Sequence, residues 1–213
     1  MKRSKITLFA TTTMLVGALL ILFCTFAGLP PRADASVPRE VGRALAQEAL
    51  KLFGPGKRLT VIARDTSAFK QPATDITLAA FEDEIRKGGA KITAVQLLQV
   101  DPLRPLQVPP GDFFELLRRG AAGDVIVSLM GPPQLSEEQR SALGNSKAKV
   151  VAFCPGGLSA YLDLHQLAGQ KLLHAAILSR PLPPKPGALP FRERFDDLFE
   201  RVGAAELEKR STP

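Results

Sequence analysis

Between residues 38 and 181 the chain alternates two hydrophobic patterns. Short continuous apolar runs predict strands covered on both faces, and apolar residues at every third or fourth position predict amphipathic helices. The clearest run is Val125 to Met130, inside Gly123–Pro133, broken only by Ser128. Pro132 and Pro133 lack backbone donors and cannot continue a ladder. Ser136 and Gln139 then have the spacing of a capping box at a helix start. Four further strands are predicted over Arg58–Ala63, Lys91–Val100, Ala148–Phe153 and Leu172–Leu178. Helices are predicted over Pro38–Phe53, from a cap at Thr74 or Asp75 to Lys87, over Asp112–Arg119, from Ser136 to Gly144, and over Leu158–Leu167. Strands alternating with helices predict an α/β fold. Right-handed crossovers favour a three-layer domain with a mostly parallel five-stranded sheet, and fold-level analogy suggests the order 2-1-3-4-5.

The two ends break the alternation. Ile6 to Leu29 is an uncharged apolar stretch of 24 residues. As a helix it spans about 36 Å, enough for a bilayer core. Lys2, Arg3 and Lys5 precede it, which predicts a cytoplasmic N-terminus and a domain outside the cytoplasm, periplasmic or extracellular. This length favours an uncleaved signal anchor. The alternative is a signal peptide cut after Ala33-Asp34-Ala35, giving a secreted protein. At the other end, Pro181 to Pro190 carries five prolines and reads as a stiff linker. Phe191, Phe195, Leu198, Phe199 and Val202 then fall at helical spacing, predicting an amphipathic helix that packs on its own domain or docks a partner. The organisation expected is residues 1–35 as anchor or signal, 36–181 as the α/β domain, and 182–213 as linker and helix.

Charge changes this picture little. The net charge is +7, but Lys2, Arg3, Lys5 and Arg32 flank the apolar segment; without them 24 basic residues face 21 acidic ones. The pairs Lys57-Arg58 and Arg118-Arg119 form no basic stripe along the sequence, and no aromatics interleave with them, so nucleic-acid binding is not expected. Cys24 lies in the apolar segment and Cys154 far away, which excludes a disulfide scaffold.

In an open parallel sheet, ligands bind beyond the carboxyl ends of the strands, where strand order reverses. Here that point lies between the first and third strands. Asp65, Thr66 and Ser67 stand on one side; Gly131, Pro132 and Gln134 stand on the other. The loops at Asp101-Pro102, Cys154–Gly157 and Ser179-Arg180 end on the same edge. Amides of Gly156 and Gly157, before a helix, suit an anion. Known catalytic and nucleotide templates are missing: there is no G-x-G-x-x-G after the first strand, no P-loop and no G-x-S-x-G. The single tyrosine is Tyr161 and there is no tryptophan, which removes the usual stacking partners of a flavin. His165 and His174 lie in different elements without a second ligand at metal spacing. Neither a cofactor nor a metal is therefore expected, and Cys154 reads as a small buried thiol rather than a nucleophile.

The strand-ending runs Val61-Ile62-Ala63, Asp124-Val125-Ile126-Val127 and Val150-Val151-Ala152-Phe153, with the extracytoplasmic address, resemble one lobe of a type 1 periplasmic-binding-protein-like (Rossmann-like) fold. The resemblance covers a little over half the chain. Such proteins clamp a ligand between two lobes, and this chain has one. It implies either a second lobe from another subunit or no clamp, and assigns no ligand residues.

Three functions follow as expectations. The first is a membrane-anchored binding module for a small polar ligand or a protein partner, without catalysis. The second is an assembly subunit of an envelope complex, docking through the C-terminal helix. The third is an enzyme drawing on Asp65, Ser67, Asp101, Cys154 and Arg180. The partners expected are the membrane, a small ligand, and an envelope protein or, in a homodimer, a second copy of the chain, which would supply the other lobe of a clamp.

Overall fold

A computed structural model describes residues 14, 16–17, 35–100, 107–132, 134–144, 147–156, 158, 161–180 and 195–209. Residues 1–34 form one unit, in which Met14, Val16 and Gly17 are helical and exposed or nearly so. No helix among the described residues is long and apolar enough to cross a membrane. The predicted span at 6–29 lies, apart from those three residues, outside the described residues, as do Asp101, Gly157, Phe191 and the proline-rich stretch.

Residues 35–213 form the second unit. Its elements are α1 (Ser36–Leu52), β1 (Leu59–Arg64), α2 (Pro72–Lys87), β2 (Ala94–Leu98), α3 (Pro110–Arg119), β3 (Val125–Ser128), α4 (Glu137–Leu143), β4 (Lys149–Cys154), α5 (Leu164–Gly169), β5 (Ala175–Ser179), α6 (Phe195–Leu198), β6 (Phe199–Gly203) and α7 (Ala204–Leu207). The sheet has six strands in the order β2-β1-β3-β4-β5-β6. The first five pair in parallel in the expected order, and β6 adds antiparallel to β5.

Side-chain alternation divides the core into two layers. Val61, Ala63, Val125, Val127, Val151, Ala175 and Ile177 face α1 and α2, where Leu45, Ala49, Phe81 and Ile85 meet them. Ile62, Ile126, Val150, Ala152, Ala176 and Leu178 face the other way, against Phe113 and Leu117 of α3, Leu164 and Leu167 of α5, and Leu207 of α7. All four residues of β3 are buried, which is why its sequence is a run rather than an alternation. Phe81 and Phe113 are fully buried, each contributing about 2 kcal/mol or more to the two layers. The α1–α2 contact depends on a missing side chain: a β-carbon at Gly42 would run into the Thr77 carbonyl oxygen and sit 3.0 Å from Ala80 Cβ.

Three expectations are corrected. The sheet has six strands, not five, and the C-terminal amphipathic helix is not formed. One helical turn, Phe195–Leu198, leads directly into β6. Over so few residues the apolar spacing fits both periods, and the open edge of β5 decides the outcome by offering a ladder to Phe199–Gly203. The faces of Phe195 and Phe199 pack within their own domain, with Phe199 5.5 Å from the Phe153 ring, and Val202 is 1% exposed. Helix α5 also starts six residues later than expected, at Leu164, where the Asp163 side chain accepts a hydrogen bond from the Gln166 amide at 2.7 Å. The capping box at Ser136 and Gln139 forms as its spacing predicted.

Candidate functional site

The strand order reverses between β1 and β3, so the carboxyl ends of these strands border the crevice of an open sheet. After β1 the chain turns on Asp65. Its Oδ1 accepts from the Ser67 amide at 2.9 Å, its Oδ2 accepts from Gln99 Nε2 at 3.3 Å, and its own amide donates to the Leu98 carbonyl at 2.8 Å. These bonds, the Ser67 amide first, hold the Asp65 carboxyl below the usual carboxylate range. The Thr66 hydroxyl donates to Asp75 at 2.7 Å in the first turn of α2. Asp75 therefore anchors the loop instead of capping the helix, which begins at Pro72. Each Asp65 oxygen has a second lone pair, so the group keeps capacity for a ligand hydroxyl.

The β3 side differs. Gly131 and Pro132 are buried and Gln134 is half-buried. Gly131 has φ +91°, a conformation that favours glycine, and it turns the chain away at the end of the run. Ser128 is fully buried, with its Oγ accepting from the Met130 amide at 3.2 Å.

Gly156, Ser179 and Arg180 each make hydrogen bonds within the fold. The Gly156 amide, where a short 3-10 turn stands rather than an α-helix, donates to Ser179 Oγ at 2.8 Å. The Arg180 amide donates to the Leu198 carbonyl at 2.7 Å and its Nε to the Phe199 carbonyl at 3.2 Å. Arg180 thus fastens the start of β6. Cys154 is fully buried, and burial pushes its thiol up to about 12, the opposite of what a nucleophile needs. Among the described residues no group of His, Cys, Asp and Glu gathers as metal ligands.

Two residues were not singled out as contact residues by the sequence. Phe69, in the loop after β1, is 62% exposed, and Tyr161, in the loop after β4, is 85% exposed. In the sheet, β3 alone separates these two strands, so their ends stand about 10 Å apart. The sequence signal was an aromatic inside a short polar loop, Ser67-Ala68-Phe69-Lys70, which hydrophobic periodicity does not weigh.

No protein-family model and no curated protein matches this sequence. Solved structures with a similar fold include AraP, an arabinose-binding protein from Geobacillus stearothermophilus, with TM-score 0.49 and 14% identity over 80% of this chain and 62% of that one. A myo-inositol-binding protein from Caulobacter has TM-score 0.44 and 19% identity over 67% of this chain and 47% of that one. A periplasmic ribose ABC transporter protein from Conexibacter woesei has TM-score 0.43 and 13% identity over 67% and 45%. The chain spans a little under half the length of the ribose and myo-inositol proteins and about three fifths of AraP. The likeness is low in identity, partial in coverage, and one of fold.

Proposed function

We propose that the domain is an extracytoplasmic binding module, held to the membrane by residues 6–29, that takes a small polyhydroxylated ligand at the carboxyl edge of its sheet. The observation that carries this reading is the pair of exposed rings, Phe69 and Tyr161, on loops either side of the β3 end. Neither ring packs into the core. Exposed rings on the same sheet edge as the Asp65 carboxylate, the Ser67 hydroxyl and the Gln99 amide suit a molecule with a C–H face and several hydroxyls. A charged ligand fits less well, since Arg180 is turned to the β6 segment.

Calorimetric titration of the full chain in neutral detergent with a panel of sugars and cyclic polyols tests the reading. At least one member should bind, and Phe69→Ala or the pair Asp65→Ala and Ser67→Ala should weaken it tenfold or more. Equal affinity in both variants moves the ligand away from this edge.

A further inference from the structure

The opposite, amino edge of the sheet carries an arrangement that the sequence alone conceals. The pairs Thr60–Ala94, Leu59–Val125, Val125–Lys149 and Val151–Ala175 place Thr93, Leu59, Val125, Lys149 and Leu173 on one cross-strand rank. Two residues earlier in sequence, in the loops that lead into the strands, stand Lys91, Lys57, Gly123, Lys147 and Lys171. A lysine precedes every parallel strand except β3, and there the Lys57 side chain reaches across: a β-carbon at Gly123 would lie 3.1 Å from Lys57 Cε.

All four lysines are exposed, and none forms an ion pair among the described residues, whereas Lys51 and Lys87 both do. The acids of this edge are already engaged: Asp124 holds Arg58, and Glu115 holds Arg118 and Arg119. Lys171 is the one described non-glycine residue with positive φ, at 55°. Strand spacing sets β2 and β5 about 19 Å apart, which is the width of the edge these loops share. His174, beside it, is pulled down to about 4 by burial and by Lys149 and Lys171, which fits an uncompensated positive field.

We propose that this edge is a docking track for a linear polyanion, a chain of closely spaced phosphate groups read through charge alone. Lysine point charges spread along one sheet edge match a chain of phosphates without requiring forked recognition. Among the described residues base stacking has no platform here, because the exposed aromatics Phe69 and Tyr161 stand at the other edge.

The test is binding of inorganic polyphosphate to the full chain in neutral detergent across a salt series. Four lysines predict a slope of about −3 in log affinity against log salt, or roughly 50-fold weaker binding on going from 50 to 200 mM. Changing Lys57, Lys91, Lys147 and Lys171 together to Gln should cost tenfold or more with the melting temperature kept, while Lys70→Gln, exposed at the other edge, should cost nothing. In NMR titrations polyphosphate should raise the pKa of His174, and Lys171→Gln alone should raise it without polyphosphate. Unchanged affinity in the four-lysine variant overturns the proposal. So does tighter binding of single-stranded DNA of equal charge, or binding confined to anionic lipid vesicles.

Discussion

The two ends of one parallel sheet are built to opposite rules. At the carboxyl edge the predicted polar groups are largely spent on one another: Asp65 on Ser67 and Gln99, Thr66 on Asp75, Gly156 on Ser179. What remains open there is the rings of Phe69 and Tyr161 and the second lone pairs of Asp65. At the amino edge the buried acid is spent and the bases are left over. Asp124 accepts from the Arg58 amide, Arg58 Nε, Arg58 Nη2 and the Ala121 amide, at 2.6–3.0 Å. Burial alone would raise the Asp124 carboxyl, but these bonds outweigh it and hold it below the usual range. A conspicuous polar residue is thus a poor guide to what an edge offers a ligand; the useful quantity is what stays unpartnered after the fold has taken its share.

The largest effect expected is at the amino edge. Asp124→Ala removes four hydrogen bonds to a buried carboxylate and should cost about 3 kcal/mol in urea unfolding. Asp65→Ala at the other edge should barely move the midpoint. Equal losses would break the contrast. A smaller effect comes from pH. The His174 Nδ1 accepts from the Val150 amide at 3.2 Å, and its folded pKa of about 4 lies below the ordinary 6.5. The unfolded chain therefore binds a proton first as pH falls, so stability is full above 6.5 and declines between 6.5 and 4. The loss should be on the order of 1 kcal/mol at pH 5 after allowing for solvent screening, and His174→Gln should flatten it. Mass spectrometry after iodoacetamide at pH 8 should find Cys154 unmodified until denaturant is added, because the carboxyl edge keeps its thiol buried and protonated. The smallest effect on stability belongs to Phe69→Ala and Tyr161→Ala, whose melting temperatures should match the parent's. A clear drop in either would mean that the ring serves the fold rather than a ligand.

The inner strands were legible because they are buried on both faces, as β3 is throughout, so each reads as a short apolar run closed by a turn; β2, with Val95 and Leu97 exposed, was legible from its place in the alternation instead. The capping box at Ser136 was legible because it is local. The C-terminal strand was not, since Phe195, Leu198, Phe199 and Val202 satisfy a helical spacing and only the unpaired side of β5 turns the last of them into a ladder. At the candidate site, the position of Asp65 and Ser67 could be read from topology, whereas the engagement of Gly156 and Arg180 depends on partners 23 and 19 residues away. The lysines of the amino edge were hidden for the same reason: Lys57, Lys91, Lys147 and Lys171 are scattered in sequence, and the strand order brings the loops that carry them to one edge.

The antiparallel return of β6 has a consequence for how the molecule is made. Synthesis runs from the amino end, so β5 leaves the ribosome well before Phe199–Gly203 can pair with it. In that interval the growing chain presents a bare strand of five apolar or small residues, Ala175–Ser179, to anything that can add to it. The nascent domain therefore cannot close its sheet until the stretch beyond the prolines has emerged, and a holding chaperone would find its most exposed substrate there.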